Sequence, residues 1–324
     1  MLPRLIFFVL AATLLTRSAD AQERLNFAYI SPNAGSSSVL WVAKDAGIFK
    51  KHGLDVNVIY IEGTPKALMS LFAGELHVVA GTGPAVASAK VRGADATMFM
   101  GFEVFLPYYL VANPNIKSVE DLKGKVGANH SAATSADFAM RLGLRNIGLD
   151  PEKDVNLRVV GATNLRMITM QQKQTDFTVI SNTEREEAEK MGMKILVDLA
   201  SKKIPYPHSG LITSQKMLRE KRDAMLRFGR ATVEAIHYFK TNKAQTVAIL
   251  KKYGKTDPTT LDTAYGYLKG AIPDLPYPTL EGMKTVLAEM GRARPEVLKT
   301  DPATMVDTSI VKTIEDEGFL KKLK

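Results

Sequence analysis

A strand-to-helix turn with two glycines is the first part of the sequence that could do chemistry. Residues 78–89 read VVAGTGPAVASA, an apolar strand, then Gly-Thr-Gly-Pro at 81–84, then small residues suited to a helix. Such a turn can hold a phosphate against backbone N–H groups. The dinucleotide fingerprint needs a third glycine where Val86 stands, however, and the P-loop needs a lysine that does not follow here. The turn therefore does not predict a nucleotide site.

Five strand-to-helix turns, this one included, are rich in hydroxyl or small side chains. They occupy residues 31–38, 63–65, 81–84, 129–135 and 181–183. A helix N-terminus carries free N–H groups and partial positive charge, so each turn suits a carboxylate, a sulfonate or another anionic group. The same residue types are ordinary N-caps, worth about 1 kcal/mol each, so one turn alone predicts no site. Together they predict one cleft, because ligands of open α/β sheets bind outside the carboxyl ends of the strands.

Other chemistry finds little support in the sequence. The chain has no cysteine, which excludes disulfides, thiol catalysis and cysteine metal sites. Its five histidines lack zinc-site spacing, and no Gly-x-Ser-x-Gly elbow occurs. His130 precedes a predicted helix in the cleft and is the histidine that we include among the ligand-binding residues. We predict no catalytic residue, no metal and no cofactor.

The charged residues also limit the function. The formal net charge is +9, but lysines and arginines are dispersed along predicted helical faces with acidic residues between them. Nucleic-acid binding is therefore not expected, since it needs a basic stripe with exposed aromatic residues. No arginine lies in the five turns, which disfavours a strongly anionic ligand such as phosphate. Arg166 and Arg185, each early in a predicted helix, are the nearest counter-charges.

The N-terminus predicts export. Arg4 precedes a short apolar run over residues 5–15, and Ala-Asp-Ala at 19–21 is a small-x-small cleavage site before Gln22. This is the pattern of a cleaved signal peptide, and the apolar run is too short to span a bilayer. An uncleaved N-terminal anchor is the alternative. Without a cysteine for a lipid anchor, the sequence predicts a soluble protein of a Gram-negative periplasm.

The elements that carry the turns form two series. Strand patterns occupy residues 25–30, 54–61, 75–80 and 97–103, with helices between them, which predicts a parallel sheet. The first helix, over 39–51, is followed by Gly53 at its C-terminal end, and a later helix has Thr64 as N-cap and Pro65 as its first residue.

The second series has five predicted strands. They occupy residues 108–114, 125–130, 156–162, 176–181 and 194–200. From residue 208 the chain turns almost wholly helical, and these helices are too few to form a third domain, so we expect them to pack on the first lobe.

These patterns predict an α/β protein of two lobes, each a mostly parallel sheet flanked by helices. We expect a signal peptide at 1–21, a first lobe from 22–110 and 210–324, and a second lobe from 111–209. Two crossing segments, near 108–113 and 207–213, form the hinge.

Residues 43–95, together with later motifs, resemble the substrate-binding proteins of ABC importers, in the sulfonate, taurine, nitrate and thiamine-pyrimidine-precursor group. The resemblance is carried by Gly47 with Phe49, by GLDV at 53–56, by IKSVEDLKGKVGANHSAATS at 116–135 and by GLDPEKDVNL at 148–157. It covers nearly all of the mature chain. It implies the type II periplasmic binding protein fold, which closes around a ligand by hinge motion.

The resemblance implies that the turns are the ligand loops. The residues so implied are Ser31, Asn33, Thr64, Thr82, Gly83, Ser131, Thr134, Ser135, Asn182 and Thr183. At Asn182 and Thr183 the family often has a proline-containing segment instead. Trp41 on the first helix, and Phe102, Tyr108 and Tyr206 in or near the crossing segments, supply aromatic rings that would stack on a flat ligand.

The expected function is a periplasmic receptor that captures a small organic ligand, acidic or aromatic, and is not an enzyme. It would act as a monomer and deliver the ligand to an ABC permease in the inner membrane, with its ATPase. Three alternatives stay open. The protein could signal to a membrane sensor, which neighbouring genes would reveal, or serve an ATP-independent transporter of similar fold. It could also resemble the enzymes that make the thiamine pyrimidine from their own histidine, but these carry a cysteine-rich motif that is absent here.

Overall fold

The computed structural model describes residues 22–255 and 258–323, and the signal peptide predicted at 1–21 lies outside the described residues. The strands are β1 (Glu23–Tyr29), β2 (Leu54–Tyr60), β3 (Val78–Gly81), β4 (Thr97–Phe105), β5 (Tyr108–Ala112), β6 (Val126–Asn129), β7 (Asn156–Val159), β8 (Phe177–Ser181), β9 (Lys194–Asp198) and β10 (Pro205–Thr213).

The helices in the first half are α1 (Val39–Asp45), α2 (Ile48–Lys51), α3 (Thr64–Phe72), α4 (Gly83–Val91), α5 (Ser135–Asn146), α6 (Thr163–Gln171) and α7 (Arg185–Lys190). The later helices are α8 (Gln215–Glu220), α9 (Arg222–Thr241), α10 (Lys243–Tyr253), α11 (Leu261–Ala271), α12 (Leu280–Ala293) and α13 (Ser309–Asp316). Short 3₁₀ turns occupy Ser36–Ser38, Glu120–Leu122, Asn182–Glu184, Ala200–Lys202, Pro295–Lys299, Pro302–Met305 and Phe319–Lys322.

Two five-stranded sheets have the same internal order. The first is β2-β1-β3-β10-β4 and the second is β7-β6-β8-β5-β9. In each sheet one strand, β10 or β5, pairs antiparallel with both of its neighbours, and the other four strands share one direction. The prediction of two α/β lobes with mostly parallel sheets is confirmed.

Strand β10 is the main departure from the expected elements. The sequence predicts helices from residue 208 onward, whereas residues 205–213 form a strand between β3 and β4. The segment contains two prolines and Gly210, which disfavour a helix. At Gly210 a Cβ would lie 2.2 Å from the carbonyl oxygen of Met100, so only glycine fits there without a shift. Strands β3 and β4, which follow one another among the predicted strands, are consequently separated by β10 in the sheet.

The chain changes sheet slightly before the expected domain limits. Strand β5 belongs wholly to the second sheet and β10 to the first, so the crossings fall at 106–107 and 199–204. The expected limits were 110/111 and 209/210.

Two helix starts also differ from expectation. The predicted helix over 39–51 is two helices, α1 and α2, separated where Gly47 takes a φ of +72°. Gly63, with a φ of +79°, holds the N-cap position of α3, and Thr64 is the first helical residue rather than the cap. The Thr64 side chain is thereby available to the interior rather than to its own helix.

The helices after β10 cover the first sheet. Helix α9 packs against α1 and α13, while α12 packs against β10 and α4. One apolar cluster lies under these helices, and a second contains residues of both sheets, among them Val79, Met98, Leu110 and Val179. An ion pair between Arg145 of α5 and Glu289 of α12 also joins the two halves. The lobes therefore share packed contacts beside the crossing segments.

Candidate ligand-binding site

All five turns singled out in the sequence meet at one cavity between the two sheets. Its volume is about 160 Å³, and a cavity of roughly 150 Å³ accommodates a benzene molecule. Eight of the expected residues in these turns line it: Ser31, Asn33, Thr64, Thr82, His130, Thr134, Ser135 and Thr183. Because these residues come from both sheets, the cavity lies between the two lobes.

The first lobe contributes two helix N-termini. Thr64 begins α3 and Thr82 is the N-cap of α4, and both residues are buried. Their Oγ1 atoms are 3.4 Å apart, and within the described residues the Thr82 side chain makes no capping bond to its own helix. The backbone N–H groups at the start of each helix lack intrahelical partners. Two hydroxyls and two positive helix ends therefore face one cavity.

The glycines of the Gly-Thr-Gly-Pro turn serve close packing. A Cβ at Gly81 would lie 2.6 Å from Cγ2 of Thr64 and from Cδ1 of Ile212. A Cβ at Gly83 would lie 1.9 Å from Cγ of Pro207. Gly83 itself does not line the cavity, contrary to expectation. The two glycines let β10 approach the turn, and the buried Thr82 between them lines the cavity.

The second lobe contributes the start of α5. Thr134 caps this helix by accepting a hydrogen bond from Asp137 N at 3.3 Å, and its own hydroxyl donates to Ser131 O at 2.8 Å. Ser135 accepts from the Tyr206 hydroxyl at 3.0 Å. These bonds fix both side chains at the edge of the cavity.

Arg166 is the most deeply placed charge beside the cavity. It is 1% exposed. One terminal nitrogen donates to Thr178 Oγ1 at 2.9 Å and to Val179 O at 2.8 Å, and the other donates to Thr163 Oγ1 at 2.8 Å. Nε finds no hydrogen-bond partner in the described part of the chain. Burial lowers the pKa of this guanidinium, which Tyr108 and Glu184 partly oppose.

In residues 22–255 and 258–323 no carboxylate oxygen lies within 4.0 Å of the Arg166 guanidinium, and Glu184 acts on it only from a longer distance. A buried charge is costly unless an opposite charge or a full set of hydrogen bonds compensates it. Arg166 thus has an unused N–H donor and no carboxylate in contact with it among the described residues. Its turn, with Ala162 and Thr163 also lining the cavity, is a sixth strand-to-helix turn that the sequence reasoning did not include.

Arg185, the other expected counter-charge, does not line the cavity. Its side chain is 47% exposed and pairs with Glu189 at 2.9 Å. The guanidinium lies 5.1 Å from the centre of the Tyr109 ring. Arg185 is thus a surface residue of α7.

Two buried carboxylates beside the cavity were not foreseen. Glu184 accepts hydrogen bonds from the backbone N–H of Ser181 at 3.0 Å and from the Ser181 hydroxyl. Glu103 is 7% exposed and accepts from the Tyr267 hydroxyl at 2.8 Å. A carboxylate at the end of the apolar segment TMFMGFE was the available signal for Glu103.

His208 lies near Glu103, with 4.0 Å between Nε2 and the carboxylate Oε2. Burial lowers the pKa of His208, although Glu103 and Glu184 oppose this. Burial likewise lowers the pKa of His130 and raises that of Tyr108, both of which line the cavity. Burial therefore favours the neutral form of all three groups.

The expected aromatic residues lie mostly in the core. Trp41 is fully buried, stacks on Tyr253 at 5.5 Å and meets Tyr29 edge-on at 5.2 Å. Phe102 belongs to the same apolar cluster, because successive residues of a strand face opposite sides and its neighbour Glu103 faces the cavity.

Tyr206 is also fully buried, stacked on Phe138 with ring centres 4.7 Å apart. It contacts two residues that line the cavity, through its bond to Ser135 and a ring contact with His208 at 6.4 Å. Tyr108 alone among these aromatic rings lines the cavity.

Two further expected residues point elsewhere. Ser131 is exposed, and its backbone N–H donates to His130 Nδ1 at 2.7 Å. Asn182 accepts a hydrogen bond from the Tyr109 hydroxyl. Neither residue lines the cavity. The polar loop side chains that the sequence suggests therefore do not all face the cavity.

The two lobes approach one another across the cavity. A Cβ at Gly63 would lie 3.6 Å from Cε1 of His130 on the second lobe. Conversely, a Cβ at Gly161 of the second lobe would lie 3.4 Å from Oε1 of Glu62 on the first lobe. The lobes are thus in near contact at this edge of the site.

A wider depression of about 560 Å³ lies on the first lobe alone, lined by residues such as Leu71, His77, Asp95 and Met217. It receives nothing from the second lobe, so lobe closure cannot enclose a ligand there. In the part of the chain that the structure covers, no three His, Asp or Glu residues group to hold a metal ion. No helix of that part is long and apolar enough to cross a membrane.

Comparison with known proteins gives the family. The NMT1/THI5-like family profile matches residues 35–246. A Brucella abortus protein named as a binding protein is 28% identical over 249 residues, covering 72% of this chain and 73% of the relative.

Two solved structures share the fold. The alkanesulfonate-binding protein SsuA from Xanthomonas axonopodis pv. citri, bound to MOPS, has a TM-score of 0.71 at 15% identity and covers 88% of this chain and 98% of its own. A Candida albicans protein with the generic periplasmic binding protein fold has a TM-score of 0.72 at 15% identity and covers 88% of this chain and 96% of its own. The expected periplasmic binding protein fold is confirmed, and the chain belongs to the NMT1/THI5-like family.

Proposed function

We propose that this protein is a periplasmic receptor that captures a small organic molecule with an acidic group and delivers it to an ABC importer. The observation that carries the proposal is Arg166, a buried cation without a carboxylate partner among the described residues, beside a cavity lined by several helix N-termini. An acidic group placed there would gain a charged partner and unpaired backbone N–H donors.

The comparisons support a receptor of this kind. The Brucella relative is named as a binding protein, and the Xanthomonas neighbour is named as alkanesulfonate-binding. Both descriptions fit binding without chemical conversion, so we propose that the protein is not an enzyme. We infer a sulfonate or carboxylate because Arg166 and the helix N-termini at the cavity favour an anionic group.

Capture would proceed by closure of one lobe onto the other. We propose that the first lobe comprises 22–105 and 205–323, that the second comprises 108–198, and that the two crossing segments act as hinges. The ligand would first meet the Thr64 and Thr82 hydroxyls, and closure would bring Ser135 and Arg166 to its other side. Closed receptors would then dock, as monomers, on the permease in the inner membrane.

The predicted signal peptide supports a periplasmic location. So does the fold, which is named after periplasmic binding proteins. Cleavage before Gln22 is testable by N-terminal sequencing of the exported protein. A mature N-terminus at Gln22 supports the proposal, whereas retention of residues 1–21 in the membrane fraction contradicts it.

The direct test is ligand binding by the mature chain from Gln22. Thermal shift is measured with sulfonates, carboxylates, pyrimidines, nitrate and nucleotides. In a second experiment, the purified protein is extracted and the masses of the released small molecules are measured. A ligand at a hundred times its Kd adds about 2.7 kcal/mol, which raises the midpoint by several degrees.

The double variant Thr64→Val, Thr82→Val tests the cavity, because it removes two hydroxyls with little change in shape. We expect the ligand-induced shift to be lost while the midpoint without ligand moves little. Thr241→Val, on the exposed end of α9, is the matched control. Absence of any shift together with absence of an extracted ligand contradicts the receptor function.

A further inference from the structure

We propose that the ligand also carries a protonated amine or a similar cationic N–H group, and that Glu103 binds it. This inference rests on the proposed receptor function and assigns a second chemical group to the same ligand. The cavity would then recognise an amphoteric molecule, with its acidic group toward Arg166 and its cationic group toward Glu103.

The surroundings of Glu103 carry the inference. The side chain is 7% exposed, yet it lines the cavity. Its Oε1 accepts from the Tyr267 hydroxyl at 2.8 Å. No lysine or arginine nitrogen of the described ranges comes within 4.0 Å of the carboxylate, and the nearest basic group is His208 Nε2 at 4.0 Å. A carboxylate has about four lone-pair positions, so Glu103 can accept further donors.

His208 is a poor source of the missing positive charge. It lies on β10 with its side chain 16% exposed, edge-on to the Tyr108 ring at 5.2 Å. Its Nδ1 has no hydrogen-bond partner among the residues that the structure covers. Burial lowers the pKa of the ring, which favours the neutral imidazole at neutral pH. A neutral His208 can orient the carboxylate but cannot neutralise it.

The other buried carboxylate of the cavity behaves differently. Glu184 is tied to its own turn, because it accepts from the backbone N–H and the hydroxyl of Ser181 in a capping box. Its charge is thus stabilised by local donors at a helix start. Glu103 lies on a strand and has no such local donors, which makes it the carboxylate that a ligand would complete.

The two unpaired charges impose a selection on the ligand. A simple alkanesulfonate or fatty carboxylate would pair with Arg166 but would leave Glu103 enclosed without a cation. Removing one partner of a buried charge pair weakens binding strongly. The site should therefore reject acids that lack a basic nitrogen, even when their acidic group fits.

The experiment compares matched acids that differ only in one amino group. The probes are propane-1-sulfonate with 3-aminopropane-1-sulfonate, butyrate with 4-aminobutyrate, and benzoate with 4-(aminomethyl)benzoate. Calorimetric titration of the mature chain should show at least one pair in which the aminated acid binds about 30-fold or more tightly. Any molecule that co-purifies with the protein should contain a basic nitrogen.

Glu103→Gln should abolish this preference, because it removes the charge and keeps the shape. Affinity for the acid without the amino group should stay within a few-fold of wild type or improve. Glu281→Gln, which removes an exposed carboxylate paired with Lys284, is the matched control and should keep the preference. Because the wild-type comparison needs no variant, poor folding of Glu103→Gln would not prevent the test.

The outcomes separate the two proposals. Equal or tighter binding of the acids without an amino group, or a co-purified acid without basic nitrogen, overturns the role of Glu103 and leaves the receptor function in place. Unchanged preference in Glu103→Gln does the same. Failure of every probe to bind, with nothing co-purified, contradicts the receptor function and this inference with it.

Discussion

Replacing Arg166 by methionine should abolish ligand binding and leave the protein folded. Two contributions of Arg166 to the free energy of folding oppose each other. The guanidinium makes three hydrogen bonds at 2.8–2.9 Å, and bonds from a charged donor are worth about 1.5–3 kcal/mol each. Burying a cation without a carboxylate costs several kcal/mol, however, and hydrophobic replacement of buried charges is often neutral.

Two of the three residues that would lose a hydrogen bond to Arg166 retain other contacts. Thr178 still donates its hydroxyl to Ala128 O at 2.7 Å. Val179 lies within the paired segment of β5 and β8. We therefore expect the free energy of unfolding without ligand to change by no more than about 2 kcal/mol in either direction. The midpoint would then move by only a few degrees.

Binding should respond far more strongly. Loss of one member of a buried charge pair costs about 2–5 kcal/mol, which corresponds to an affinity loss of roughly 30-fold to several thousand-fold. Urea unfolding of the free protein and calorimetric titration with the ligand identified by the thermal-shift screen measure the two effects separately.

Arg185→Met is the matched control, because it removes an arginine that pairs with Glu189 on the surface. It should leave both stability and affinity near the wild-type values. Equal affinities of the two variants would refute the assignment of Arg166 to the ligand. Collapse of the Arg166→Met fold would refute the statement that its buried charge lacks compensation.

Two other predictions concern the scaffold. Gly83→Ala places a Cβ 1.9 Å from Pro207 and should lower the free energy of unfolding by about 1–3 kcal/mol. The control Gly270→Ala, with open space around it in α11, should raise the free energy of unfolding by about 0.5–1 kcal/mol. Equal urea midpoints of the two variants would contradict the packing role of Gly83. His208, whose pKa burial lowers, binds a proton less tightly in the folded chain than in the unfolded one. Its contribution is complete above the unfolded pKa of about 6.5 and is lost as the pH falls below it, so stability at pH 5 relative to pH 7.5 should fall more in the wild type than in His208→Gln. The same fall in both proteins would show that His208 plays no part.

Local sequence patterns were sufficient for most elements and for the turns. Strand and helix periodicities depend on neighbours within a few residues, so β1–β9 and the turns between them follow from the sequence with small shifts of their ends. The position of those turns at the carboxyl ends of strands is a consequence of the alternation of strands and helices. Residues such as Thr82, Thr134 and Ser135 could thus be expected at one cleft.

The tertiary structure decided which side chains face the cleft. Glu103 and Phe102 are adjacent, and only the packing of the first sheet, with the apolar core on one face and the cavity on the other, separates a charged site residue from a core residue. Arg166 points from α6 toward β8, so its burial depends on two elements distant in sequence. Strand β10 likewise exists because β3 and β4 leave a gap between them that its backbone fills. Such choices depend on contacts between distant segments, and periodicity along the chain holds no information about them.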